Sequence, residues 1–299
     1  MDDLKKQLSQ PSIESKQEWV GKLISYLAII LIGGLVVTIL MFLTIKGVAL
    51  FKNDGVSVWH FLTSTDWQPS HHYYGALPMI ITSFSVTALS GIIALPLALV
   101  VAIAITEMLP RKAYQYLQPL IELLVGIPSV VYGYLGLTVI VPYLRQVFGG
   151  TGFGILAATS VLFLMILPTM TSMTIDSLQA VPQKYRQASS GLGATRWQTI
   201  SRVIIPSAKS GILTAMVFGM ARAFGEALAV QMVIGNTTIV PTSLMESSAT
   251  LTSVLTTGIG NTVMGTASNN ALWSLALILL VMSLAFNLLM RLVSKKGAR

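Results

Sequence analysis

Six stretches of this chain run for about twenty residues or more with almost no charge, and no other feature constrains the fold as strongly. They are residues 23–45, 73–106, 123–144, 146–175, 211–234 and 271–290, and only the fifth carries charged side chains, Arg222 and Glu226. About 20 apolar residues cross the roughly 30 Å hydrocarbon core of a bilayer as an α-helix. A buried helix in a soluble protein explains one such run but not six. Charged residues make up only 10% of the chain, against about 25% in ordinary soluble domains, so a water-exposed surface cannot be covered. The expected fold class is an all-α membrane protein with six transmembrane helices.

Lysine and arginine set the expected orientation, because short cytoplasmic loops are enriched in them. One side receives Lys5, Lys6, Lys16 and Lys22 before the first run, Arg111 and Lys112 after the second, Lys184, Arg186, Arg196, Arg202 and Lys209 after the fourth, and Arg291, Lys295, Lys296 and Arg299 at the end. The other side receives Lys46, Lys52 and Arg145. Both termini are therefore expected in the cytoplasm. The net charge of +8 is accounted for by topology and attraction to anionic lipid, so nucleic acid is not needed as a partner. The first run is too long for the core of a cleavable signal, and it is expected to stay as an anchor.

The organisation follows from these runs. Residues 1–22 form a cytoplasmic N-terminal segment, with a short surface helix expected before the first anchor helix at 23–50. An external loop at 51–75 holds Trp59, Phe61, Trp67, Tyr73 and Tyr74, which suits either an aromatic belt at the membrane interface or a docking surface. The core is 76–293, and the tail is 294–299. Segment 236–270 is polar with one charge, Glu246, and reads as an external cap, a partly re-entrant element or a loop. There are no cysteines, which excludes disulfides and thiolate metal sites. His71 and His72 supply too few ligands for a metal by themselves, so no metal site is expected.

Spans two and three contain Pro96 and then Gly126, Pro128, Gly133, Gly136 and Pro142. Prolines free backbone carbonyls, which in lipid must face protein or cavity water. Pro128, Ser129, Tyr132 and Gly133 are candidates for a helix break near a path, and close helix packing explains the glycines equally well.

The inner loop at 182–206 carries more information. Pro182 can start a helix at Gln183, Gly191 and Gly193 permit a turn, and Thr195 can cap a second helix from Arg196 to Ile205 that Pro206 ends. The residues alone admit an amphipathic bracket lying on lipid or one that docks on a partner. The order of residues resembles the EAA loop of ABC importer permeases: Gln187, Ala188 and Ser189, then Gly193, then Val203, Ile205 and Pro206, with the spacing kept throughout. Gln187 and Ser189 stand where that family usually has Glu and Ala. The resemblance implies that the bracket docks on a separate ATPase, with Gln187, Ala188, Gly193, Ala194, Arg196 and Pro206 as coupling residues. It also implies a type I ABC importer permease (MetI-like) fold. A phosphate-binding loop of the form Gly-x-x-x-x-Gly-Lys-Ser/Thr is missing, so ATP and Mg are expected on the partner, with no cofactor and no enzymatic chemistry in this chain.

Arg222 and Glu226 are costly inside a membrane, at roughly 2.5–3.5 kcal/mol each near a helix centre. Their spacing of four places both on one helical face, where they are expected to pair. They serve either a solute path or an interhelical contact. Guanidinium suits an oxyanion because its planar donors bind two oxygens at once. This segment resembles the Ala-Arg-Ala-x-Gly-Glu motif of PstC-type permeases of phosphate importers, as do residues 127–133, Trp67 with Pro69, and residues 74–78. The likeness extends over about residues 55–293. It implies a substrate path at Arg222 and Glu226, a PstA-type second permease, two ATPase subunits, an external phosphate-binding protein and the bacterial cytoplasmic membrane. Other readings stay open: an importer of molybdate or sulfate, a proton-coupled symporter using Glu226, or a membrane scaffold.

Overall fold

The computed structural model describes residues 13–297, so the expectation for residues 1–12 and for the last two residues lies outside the described residues. Helix α1 (Ile13–Asn53) is continuous. Residues 13–22 are thus the start of the anchor helix and not a separate surface helix. At 1.5 Å per residue it is about 60 Å long, well beyond the hydrocarbon core.

A small subassembly follows: α2 (Val58–Thr63) and an antiparallel ribbon of β1 (Trp67–Gln68) and β2 (Tyr73–Tyr74) in which Trp67 faces Tyr74. Phe51, Phe61, Trp67 and Tyr74 form a chain of edge-to-face ring contacts with centroids 5.4 to 6.4 Å apart. Phe61 and Tyr74 are buried, whereas Trp59 and Tyr73 are exposed. Much of the aromatic density expected for an interfacial belt therefore builds a packed cap.

Helix α3 (Leu77–Ile103) extends through a π turn (Ala104–Met108). Helix α4 (Arg111–Val125) stops at Gly126. Helix α5 (Ser129–Leu135), a π turn (Gly136–Ile140) and α6 (Val141–Phe148) then form the third span. Helix α7 (Ile155–Gln179) is the fourth span, and α8 (Gln183–Gly191) is the first arm of the bracket. Its second arm is α9 (Arg196–Thr199), which runs through a π turn (Ile200–Ile204) into α10 (Ile205–Phe224). Short α11 (Leu228–Val233) and α12 (Leu251–Gly258) precede α13 (Ala267–Gly297).

Among the described residues, six helices are long and apolar enough to cross a membrane: Glu18–Asn53, Leu77–Met108, Ser129–Phe148, Ile155–Gln179, Arg196–Phe224 and Ala267–Leu288. The third begins six residues later than the uncharged run suggests, because Gly126 ends one helix and Pro128 opens the next with an extended backbone. A second correction concerns Pro206, which does not end the bracket helix. The Ile205 N–H bonds back to the Ile200 carbonyl, five residues away, and the rod continues. The same device precedes Pro142, where the Val141 N–H reaches Gly136. A proline ring clashes with the carbonyl four residues back in a regular helix, and the wider π turn gives it room.

Among the described residues, three buried apolar clusters stack along the bundle. One joins the ribbon, the start of span two, α12 and span six around Phe61, Met79, Leu251 and Leu275. The middle one holds Val161, Met165, Ile166, Val230 and Val233. The third, around Ile105, Leu178, Ile200 and Ile204, lies where spans two and four end and the bracket begins. Segment 236–270 thus caps the end opposite the bracket. Its helix α12 has a capping box made by Thr250 and Ser253, and the Leu251 N–H donates to Ser83 Oγ at 2.9 Å.

Span one touches the rest of the bundle chiefly through span six. The Ser274 hydroxyl donates to the Gly47 carbonyl at 2.7 Å, and a Cβ on Gly47 would lie 2.6 Å from Leu277 Cβ. Only glycine permits that approach.

Candidate functional site

Two places combine polar side chains with interrupted helices. The first lies in span five. Helix α10 ends at Phe224, Gly225 closes it, and α11 begins at Leu228. Arg222 occupies the last turn of α10, and Glu226 lies just ahead of α11. The positive end of a helix dipole is its N-terminus and the negative end its C-terminus, so each charge sits at the end that favours it. The Glu226 carboxylate accepts from the Ala229 N–H at 3.1 Å, and its backbone carbonyl accepts from the Thr252 hydroxyl at 2.9 Å.

The expected pairing of Arg222 with Glu226 is not made. Among the described residues the ion pairs are Glu18 with Lys22 and Glu107 with Arg186. A spacing of four aligns two side chains only along an unbroken helix, and Gly225 interrupts it. Arg222 Nη1 instead donates to Thr169 Oγ1 on span four at 2.8 Å. Thr169 had no signal in the sequence, because nothing in the order of residues says which faces of spans four and five meet.

The second interruption, at residues 126–128, packs beside the first. Gly133 lies directly against Ala229 of α11, where a Cβ would come within 2.8 Å of Ala229 Cα. Tyr132 spans the break by donating to the Leu124 carbonyl at 2.9 Å, and its ring packs on the cluster that holds Ala229 and Val233 of α11. Ser129 begins α5, and Pro128 before it lines a groove of about 610 Å³ together with Glu122 and Gly126. The structure therefore brings Tyr132 and Gly133 to the Arg222–Glu226 segment. A guanidinium with one donor on a neutral hydroxyl, beside broken helix ends, can take an anion in exchange for that hydroxyl.

The second place is the bracket. Gly193 turns the chain with φ +76°, and Thr195 forms a capping box with Gln198. The Ser189 hydroxyl lies 2.9 Å from that of Thr199, so serine in the usual alanine place staples the two arms together. Gln187, Ala188, Leu192, Gly193 and Trp197 are exposed along the outer edge, and Leu192 retains 88% of its surface. Ala194 is half-buried behind them. Arg196 turns back, donating to the Glu107 carbonyl at the end of span two. The sequence did not point to the partner of Arg186: it pairs with Glu107 at 2.7 Å.

Comparison with known proteins places this architecture among transport permeases. Residues 94–298 match the family described as "Binding-protein-dependent transport system inner membrane component"; that range holds both the broken span and the bracket. A Bacillus subtilis protein named "Probable ABC transporter permease protein YqgH" is 52% identical over 263 residues, covering 87% of this chain and 85% of its own. Proteins named "Phosphate transport system permease protein PstC" are 34% identical in Mesorhizobium japonicum, covering 80% of each chain, and 30% identical in Haemophilus influenzae, covering 98% of this chain and 96% of that one. Among solved structures, a bacterial alginate ABC transporter in complex with an alginate-bound periplasmic protein superposes with a TM-score of 0.66 at 15% identity, over 96% of this chain and 97% of that one. The MetNI methionine ABC transporter gives 0.58 at 18% identity, over 78% and 100%. These two likenesses concern the fold.

Proposed function

This chain belongs to the family of binding-protein-dependent transport system inner membrane components, and we propose that it is the PstC-type half of an ATP-driven importer of inorganic phosphate. The observation that carries the proposal is the Arg222–Thr169 contact at the break in span five. Phosphate presents tetrahedral oxygens that a planar guanidinium grips two at a time. A guanidinium is a permanent cation in proteins, and a hydroxyl is an easily displaced partner. Glu226 acts by holding the start of α11, so it shapes the site without occupying the guanidinium. The PstC names of relatives at 30–34% identity support phosphate as the cargo.

In this reading the chain pairs with a PstA-type permease in the bacterial cytoplasmic membrane, both termini inside. Two ATPase subunits bind ATP and Mg and receive the bracket, and an external phosphate-binding protein delivers the anion. ATP-driven closure of the ATPases pushes Gln187, Ala188, Gly193 and their neighbours, and the path turns outward; hydrolysis returns it inward. No covalent chemistry occurs in this chain, which holds no cofactor of its own. The test is uptake of labelled phosphate by liposomes containing the assembled complex with ATP on the ATPase side. Arsenate is expected to compete and sulfate to be inert. Competition by sulfate or molybdate instead of arsenate would assign a different oxyanion, and uptake driven by a proton gradient without ATP would sink the reading.

A further inference from the structure

Arg186 makes more polar contacts than any other side chain in the bracket. Nη2 donates to Glu107 Oε1 at 2.7 Å and to the Leu178 carbonyl at 3.0 Å; Nη1 donates to the Val181 carbonyl at 2.7 Å; Nε reaches Glu107 Oε2 at 3.5 Å. One guanidinium thereby joins the bracket to the end of span two and to the last turn of span four. The pair is largely covered, with 25% of the Arg186 side chain and 11% of the Glu107 side chain exposed. Arg196 grips the same residue from the other arm, through the Glu107 carbonyl. Both arms of the bracket are thus fastened at Glu107.

Adhesion alone does not call for such a pair. Apolar residues hold helices together at lower desolvation cost, and Ile200 and Ile204 already do so here. What an ion pair with a two-pronged donor adds is a fixed direction. Glu107 sits in a π turn, an irregular helix segment of the kind found at kinks and at functional sites. Beside the pair lies a cavity of about 540 Å³ lined also by Thr106, Tyr114, Gln115 and Gln179, which leaves room for the joint to move.

We infer that Arg186 and Glu107 are positioning residues for transport: they form the joint through which a push on the bracket moves spans two and four. This rests on the reading of the chain as an ATP-driven permease. Without the joint the bracket still docks and ATP is still hydrolysed, but the motion is dissipated in the loop.

The experiment uses the full complex in liposomes, measuring anion uptake and ATP hydrolysis together for Glu107→Gln, Arg186→Gln and the double variant. Each single change is expected to lower anion moved per ATP about tenfold, a typical size for energetic coupling between sites, while hydrolysis stays within about threefold. The double variant is expected to be no worse than either single one, because both break the same contact. Arg186→Lys, which keeps the charge but not the fork, is expected to fall between. Unchanged anion per ATP in the variants, or uptake and hydrolysis lost in parallel, overturns the joint. Should Arg186→Gln fail to assemble, the nearly isosteric Glu107→Gln decides alone. If the wild-type complex carries another oxyanion, the same ratio is read with that anion; a wild-type complex that moves no anion overturns the transport reading and the joint with it.

Discussion

Arg222 on span five donates to the Thr169 hydroxyl on span four at 2.8 Å and makes no ion pair with Glu226, four residues along its own chain. The guanidinium therefore rests on a neutral oxygen. Such a partner costs an arriving anion less to displace than a carboxylate would, since a hydroxyl offers one oxygen and no opposite charge, whereas a carboxylate adds Coulombic attraction and a two-pronged grip.

From this arrangement Arg222→Gln is expected to reduce phosphate uptake about 10- to 100-fold, the equivalent of one charge-assisted hydrogen bond or more at roughly 1.5–3 kcal/mol. Thr169→Val keeps the shape and removes the hydroxyl, and a change of a few-fold in KM is expected. Uptake kinetics in liposomes with the complex quantified by co-purification check both. Wild-type kinetics for Arg222→Gln would remove the anion site from span five.

Glu226 was expected to pair with Arg222, and it holds the start of α11 instead. If its carboxylate neutralised Arg222, Glu226→Gln would change phosphate affinity strongly. The structure has it capping α11 through the Ala229 N–H, and the glutamine carbonyl oxygen can accept the same bond. Glu226→Gln is expected to stay within about threefold of wild type, while Glu226→Ala loses the cap and about 1 kcal/mol of stability. The readouts are uptake and thermal denaturation in detergent.

How far the sequence reached depended on which interactions were local. Uncharged runs located the six spans because bilayer thickness acts on each helix separately. They misplaced the start of span three, since 123–144 is uniformly apolar across a break made by Gly126 and Pro128. Helical periodicity put Arg222 beside Glu226 by assuming a continuous helix through Gly225. Likewise Pro206 read as a stop, because a π turn leaves no mark in composition. The bracket was legible through Thr195 and the order of residues after Gln187. Thr169, and the pairing of Arg186 with Glu107 79 residues away, depend on how helices meet in space.

Gly47 offers a test of packing away from either site. Its missing side chain lets span one approach Leu277 and Trp273 of span six. Gly47→Leu is expected to cost about 1–3 kcal/mol through overpacking. A lowered thermal midpoint of the detergent-solubilised complex, with phosphate KM unchanged in what remains folded, is the expected pattern. An unchanged midpoint would mean that span one does not dock on span six through Gly47.

The outer edge of the bracket gives the sharpest separation of docking from folding. Leu192 and Trp197 are 88% and 62% exposed, on a segment whose fold is secured by the Thr195 cap and the Ser189–Thr199 contact. Exposed apolar side chains this large lose little when replaced as far as folding goes, since surface substitutions usually stay within about 0.5 kcal/mol. At a protein interface the balance reverses, because a desolvated tryptophan is among the residues whose loss costs about 2 kcal/mol or more. Trp197→Glu and Leu192→Glu are therefore expected to leave the thermal midpoint of the isolated chain unchanged while its ATPase partner no longer co-purifies, and uptake and hydrolysis fall together. That parallel loss contrasts with the Arg186 and Glu107 variants, in which hydrolysis persists and transport does not. An ATPase that still co-purifies with both variants would show that it engages the chain elsewhere, and the bracket would then be an element resting on lipid.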